Sequence, residues 1–282
     1  MQLFTSIHSL FDKDNLSNSD GTHPKISLDE VKQLLSDSTK DDLMALLLSS
    51  LHGSHEVIQL LIEYGVDPSE NEHFALKLAI GHSNVQAVKI LLQYKRELPS
   101  KERTPLDKTI LGFAVIEGCL DIAMLLLEDE RIDQLAKDCA ITLATRKGDL
   151  QMTELLIKHG ASANANGNLP IAQACLYGST ELVKLLIDNG ADPCQVPDPN
   201  VTSLVDENDE VVEPITLAAR NGHLSVLELL IQYGASVNAD DGGPIYEASS
   251  NGHLSVVETL LRRGANPTDL AVMVASSNNY HN

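Results

Sequence analysis

The sequence predicts an all-α solenoid, a stack of helix-turn-helix units joined by short loops with one inserted acidic hairpin. Three recurring features carry this prediction. A paired-leucine block repeats along the chain, a glycine stands seven residues before the matched position of all but one copy, and a small residue stands four residues before that place. A period near thirty residues belongs to units too small to fold alone, which gain a core only by stacking.

The leucine block is clearest in LSVLELLIQYGASVN (224–238) and LSVVETLLRRGANP (254–267), and recurs from His55, Leu150 and Thr180, with weaker copies from Val85 and Leu120. Equivalent residues are Leu60, Ile90, Leu125, Leu155, Leu185, Leu229 and Thr259, spaced by 30, 35, 30, 30, 44 and 30. Before them stand Gly53, Gly118, Gly148, Gly178, Gly222 and Gly252, with Ser83 in the second copy. A glycine there suits a tight turn between antiparallel helices, where a positive φ is needed. Gly65, Gly160, Gly190, Gly234 and Gly264 follow the block and should end each second helix; Lys95 and Glu130 replace them in copies two and three, so those ends should be irregular. The small-residue column is Ser49, Ala79, Ala114, Ala144, Ala174, Ala218 and Ala248, which implies close packing between neighbouring helices.

The copy EPITLAARNGHLSVLELLIQYGASVN (213–238) resembles the ankyrin repeat, its T-P-L-H-x-A opening reduced to E-P-I-T-L-A. Pro170, Pro214 and Pro244 stand at the family's helix-opening proline, where a missing N–H costs nothing. About seven copies cover residues 41–267, and 268–277 reads as a C-terminal capping helix. The expected domains are therefore an N-terminal helix-loop-helix at 1–40 and an ankyrin-repeat domain at 41–282. The common spacing of 30 is short of the family's usual ~33, so tight loops should replace its β-hairpin fingers.

Composition bounds the partners. The formal charge is −20, from 40 acidic and 20 basic residues, which repels phosphate backbones and argues against nucleic acid. No basic stretch followed by an apolar core opens the chain, and no apolar run reaches membrane-spanning length. A cytoplasmic, monomeric protein without cofactor or membrane insertion is expected. Cys119, Cys139, Cys175 and Cys194 form no Cys-x-x-Cys pair, and Cys139 and Cys175 read as small core residues. His52, His55 and His82 are a weak zinc set. Phosphate loops, metalloprotease motifs and nucleophile elbows are absent from the sequence, so no enzyme is predicted.

Two segments depart from the period. Arg96, Lys101, Arg103 and Lys108 cluster in a long connection after the second copy, read as a solvated loop or an anchor for an acidic partner. The segment 193–213 carries Asp198, Asp206, Glu207, Asp209, Glu210 and Glu213 without Lys or Arg, and reads as a projecting hairpin. In the first forty residues, Asp12, Asp14, Asp20 and Glu30, with Gly21, weakly resemble an EF-hand loop. Asp12 to Glu30 spans 19 residues where that loop uses 12, and Ser27 to Glu30 also reads as a helix capping box. A calcium-responsive regulator is the alternative function on this basis.

The ankyrin resemblance implies a concave groove lined by the end of each first helix. Carried onto this chain, the partner-binding positions are Ile116, Glu117, Arg146, Lys147, Leu176, Tyr177, Arg220 and Asn221, flanked by Leu51, His52, Gly81, His82, Ser250 and Asn251. Arg146, Lys147 and Arg220 are cationic in an acidic chain and bracket Leu176 and Tyr177, which suits an acidic protein segment. The predicted function is a non-catalytic protein-binding scaffold or adaptor. Ankyrin proteins also include effectors that pathogens deliver into host cells, so the host cytosol is a second location.

Overall fold

The computed structural model describes residue 50 and residues 55–94, 109–197 and 212–267. Outside the described residues lie the expected N-terminal domain with Asp12, Asp14, Asp20 and Glu30, its boundary at residue 40, and the basic cluster from Arg96 to Lys108. The acidic segment 198–211 and the predicted capping helix lie outside them too. Among the described residues there are thirteen helices and no strand. Contacts divide the chain into two units, one ending at Asp133 and the other beginning at Gln134.

In the first unit α1 (His55–Glu63), α3 (Val85–Gln93) and α5 (Leu120–Leu127) are second helices, and α2 (Glu70–Gly81) and α4 (Thr109–Glu117) are first helices. Neighbours of like kind pack together, α2 on α4 and α1 on α3 on α5, while each first helix also packs on its own partner. The second unit repeats this in two rows. Its first helices are α6 (Gln134–Arg146), α8 (Ala165–Tyr177), α10 (Pro214–Arg220) and α12 (Ala239–Ser250). Its second helices are α7 (Leu150–Lys158), α9 (Thr180–Asp188), α11 (Leu224–Gln232) and α13 (Leu254–Arg262). Each row packs in sequence order.

The alanine column explains the close rows. Ala79, Ala114, Ala144, Ala174, Ala218 and Ala248 are all fully buried. Their carbonyls also close the inter-helix turn, each accepting from the N–H five residues on: Cys119 to Ala114 at 3.0 Å, Asp149 to Ala144 at 3.0 Å, His223 to Ala218 at 2.9 Å. That bond needs a left-handed residue before the donor, and Gly118, Gly148 and Gly222 take φ of +70° to +73°. Ser83 adopts φ +54° in the same place and closes the same turn, Asn84 N–H to Ala79 O at 2.8 Å. Around the column, Ile58, Leu61, Ile80, Ile122, Leu126, Ile141 and Leu156 are almost wholly buried, each contributing about 1.5–3 kcal/mol.

The loops are tight, as the spacing of 30 requires. Residues 166–168 and 240–242 each make one left-handed turn, with φ of +51°, +65° and +75° at Asn166, Gly167 and Asn168. Asn, Asp and Gly are the residue types that enter this region at least cost. Pro170 and Pro244 follow directly, opening the right-handed part of α8 and α12, and Pro214 opens α10. Asn168 is fully buried yet satisfied: its amide donates to Asp192 O at 2.6 Å and Gln195 O at 3.0 Å, and accepts from Asp192 N–H at 3.2 Å.

The end of the third copy is irregular in an informative way. In place of the missing glycine, Arg131 lays its guanidinium on Asp129, with Nε 2.9 Å from Oδ1 and Nη2 2.8 Å from Oδ2. Their side chains are 9% and 3% exposed. Nη2 also donates to Leu92 O at 2.8 Å, satisfying a last-turn carbonyl of α3, whose own glycine is replaced by Lys95.

Candidate partner-binding face

The site is built from the C-terminal ends of first helices in the second unit. Because α6, α8, α10 and α12 pack in order, the ends carrying Arg146 and Lys147, Leu176 and Tyr177, and Arg220 and Asn221 follow one another. What fixes these ends depends on the residue after the turn glycine. Asp149 and Ser179 cap their own second helices, accepting from Met152 N–H at 3.0 Å and Leu182 N–H at 3.4 Å. His223 and His253 make no such cap. Their rings cross to the preceding repeat instead, placing Nε2 3.0 Å from Leu176 O and 2.9 Å from Arg220 O. A carbonyl can only accept, so Nε2 carries the proton in both. Each of these histidines thereby holds a terminal carbonyl of the neighbouring first helix.

On this frame Tyr177 is 54% exposed, Arg146 and Lys147 are exposed, and Leu176 is half-buried. Arg220 does not join them as an outward cation. Its Nε lies 3.1 Å from Glu247 Oε2 and its Nη2 3.1 Å from Oε1, a bidentate pair that neutralises its charge and ties α10 to α12. Asn221 turns back on its own helix, donating from Nδ2 to Leu217 O at 2.9 Å. The outward set in this unit is therefore Arg146, Lys147, Leu176 and Tyr177.

Ile116 and Glu117 belong to the first unit, at the end of α4, where Ile116 is 51% exposed. Phe113, which the sequence reading passed over, stands three residues earlier on the same helix face and is also exposed. A reading limited to the last two residues of each helix could not find it; the i, i+3 relation could. Gln173 was missed for the same reason.

The remaining candidates hold no visible chemistry. His52 lies outside the described residues, His55 and His82 are exposed, and His55 Nε2 sits 3.1 Å from Glu56 Oε1. Among the described residues no group of three or more His, Cys, Asp or Glu side chains is arranged to hold a metal. Cys175 is fully buried, and burial pushes its thiol far above the ordinary range. Among the described residues no helix is long and apolar enough to cross a membrane.

One acidic contact yields a pH prediction. Asp240 Oδ2 accepts from Glu213 N–H at 3.1 Å and Thr216 Oγ1 at 2.6 Å. Partial burial first, then Asp240 and Asp192, raise the Glu213 carboxyl above its usual value. A carboxyl raised in the folded state opposes folding when ionised, and that opposition disappears as pH falls through the raised value and below the unfolded one. Glu213→Gln should therefore raise the Tm at pH 7, with the gain vanishing below about pH 4. Thermal melts of both proteins at the two pH values check this.

Paired helices stacked in two rows with short turns define a helical repeat protein. The family model for ankyrin repeats matches residues 25–102, 43–138, 111–196 and 198–271. The chain belongs to the ankyrin-repeat family, whose members generally mediate protein–protein interaction. It is 25% identical to an ankyrin repeat and KH domain-containing protein of Caenorhabditis briggsae, over 71% of this chain and 11% of that protein. With the related mask-1 protein of Caenorhabditis elegans the identity is 26% over 67% of this chain and 7% of that one. The B-cell lymphoma 3 protein homolog of Mus musculus is 30% identical over 49% of this chain and 33% of its own length. The chain thus spans about a tenth of the nematode proteins and a third of the mouse one.

Proposed function

We propose that this chain is a non-catalytic scaffold or adaptor that holds an acidic segment of a partner protein on the first-helix ends of its second unit. The observation that carries the reading is the half-exposed Tyr177 at the end of α8. The adjoining first helix, α6, ends in the exposed cations Arg146 and Lys147. An exposed tyrosine offers a large rigid contact area at low entropic cost. The cations run against a chain charge of −20, so they favour an acidic partner through both orientation and encounter rate. A cytoplasmic setting suits this reading. The N-terminal calcium alternative gains no support from the described residues.

With a partner in hand, Tyr177→Ala should weaken binding by about 2 kcal/mol, as truncation of a hot-spot aromatic does. Arg146→Glu with Lys147→Glu should slow association, most at low salt, where screening is weakest. Surface-immobilised kinetics against the intact chain measure both. Unchanged affinity in these variants, together with loss on deleting residues 198–210, would move the site to the acidic segment.

A further inference from the structure

Gln173 lies four residues before Tyr177 and three before Leu176, on the same face of α8. The repeat register places Leu143 at the equivalent position of α6, Leu217 at that of α10 and Glu247, paired with Arg220, at that of α12. A leucine would fill this place as it does in α6 and α10, and the polar Glu247 of α12 has a partner in Arg220, yet the carboxamide oxygen of Gln173 has none. Gln173 is only 4% exposed, and its buried Oε1 has no hydrogen-bond partner. An orphaned buried polar atom is destabilising, and the isolated chain shows no return for it.

We propose that Gln173 is the reading residue of the partner-binding face, its carboxamide pairing with a main-chain peptide group of the bound segment. The inference rests on taking the first-helix ends as that face. A peptide group is the natural complement of a carboxamide, because it donates through N–H and accepts through C=O. The match holds whichever end of the amide points inward. Rotation about the outer χ angles reorients the amide without moving α8, since the terminal torsion is soft. The occupant is then a protein segment with an acidic side chain toward Arg146 and Lys147 and an apolar one against Leu176 and Tyr177. Its backbone lies over Gln173.

A displayed library of random dodecapeptides, selected on the intact chain, supplies the probe. The best selected peptide should be acidic, and is titrated by calorimetry against wild type, Gln173→Leu and Tyr177→Ala. Gln173→Leu should melt no lower than wild type, because it removes an unsatisfied buried group at a place where both adjacent first helices carry leucine. It should nevertheless bind the peptide about tenfold more weakly, the loss expected for one well-formed hydrogen bond. Full affinity in Gln173→Leu with weakened binding in Tyr177→Ala would overturn the role of Gln173 and leave the face standing. A lowered Tm in Gln173→Leu would make the amide structural and overturn the inference as well. Selected peptides indifferent to Tyr177→Ala, or no enriched peptide at all, would overturn both.

Discussion

Arg131→Ala should cost about 3–5 kcal/mol of unfolding free energy, the usual result of stripping one partner from a buried ion pair. The magnitude follows from what stays behind. Asp129 has a side chain only 3% exposed, and its two oxygens accept from Arg131 Nε and Nη2 at 2.9 and 2.8 Å. Removing the guanidinium leaves a buried carboxylate without that counter-charge, and the Leu92 carbonyl at the end of α3 without the 2.8 Å donor it had. Replacing both members, Asp129→Leu with Arg131→Met, should recover most of the loss, because apolar packing often matches a buried pair. Denaturant unfolding followed by circular dichroism measures the size, and hydrogen exchange across residues 55–133 locates it. A cost below 1 kcal/mol for Arg131→Ala would show that the pair is not buried as described.

The second large effect concerns one glycine among several that look alike. Gly148 and Gly178 are equivalent turn residues with φ of +73° and +77°. A Cβ on Gly148 meets nothing within 4 Å, whereas one on Gly178 would lie 2.5 Å from Nδ1 of His223. Gly148→Ala should thus cost only the left-handed penalty, about 1–2 kcal/mol. Gly178→Ala should cost about 1–3 kcal/mol more, since the His223 ring must move and give up its 3.0 Å bond to Leu176 O. The double variant Gly178→Ala with His223→Ala should lose less than the two single costs added together, because the clash is gone with the ring. Strict additivity in that cycle would refute the account.

The repeat was legible because its signals are columns. Alanine, glycine and leucine registers constrain one another, and even the apparent exception Ser83 obeys the turn, taking φ +54° where glycine would otherwise stand. Side-chain partners were not legible, because they depend on residues outside any column. Arg220 read as a groove cation until its pairing with Glu247, 27 residues further on, neutralised it. Missing glycines near 95 and 130 foretold irregular ends, but not that one arginine would serve both, capping α3 through Leu92 while pairing with Asp129. Gln173 was within reach. Its column reads Leu78, Phe113, Leu143, Gln173, Leu217, Glu247, and a polar residue between two leucines is the same kind of signal that exposed the repeat.

The histidine bond from His223 to Leu176 has a consequence for how the chain can change length. Its two ends are 47 residues apart, against 33 for the equivalent bond from His253 to Arg220. The 14 additional residues between these repeats therefore leave in place between α8 and the repeat of α10 the same histidine-to-carbonyl bond that joins α10 to the repeat of α12. Lengthening a closed loop from 33 to 47 residues costs only about 0.3 kcal/mol of closure entropy. The interface behaves as a clasp whose closing bond is indifferent to the length of chain it spans. Sequence between residues 197 and 212 can grow, shrink or take on new composition while the stack on either side keeps its register, which makes this junction the natural graft point of the array.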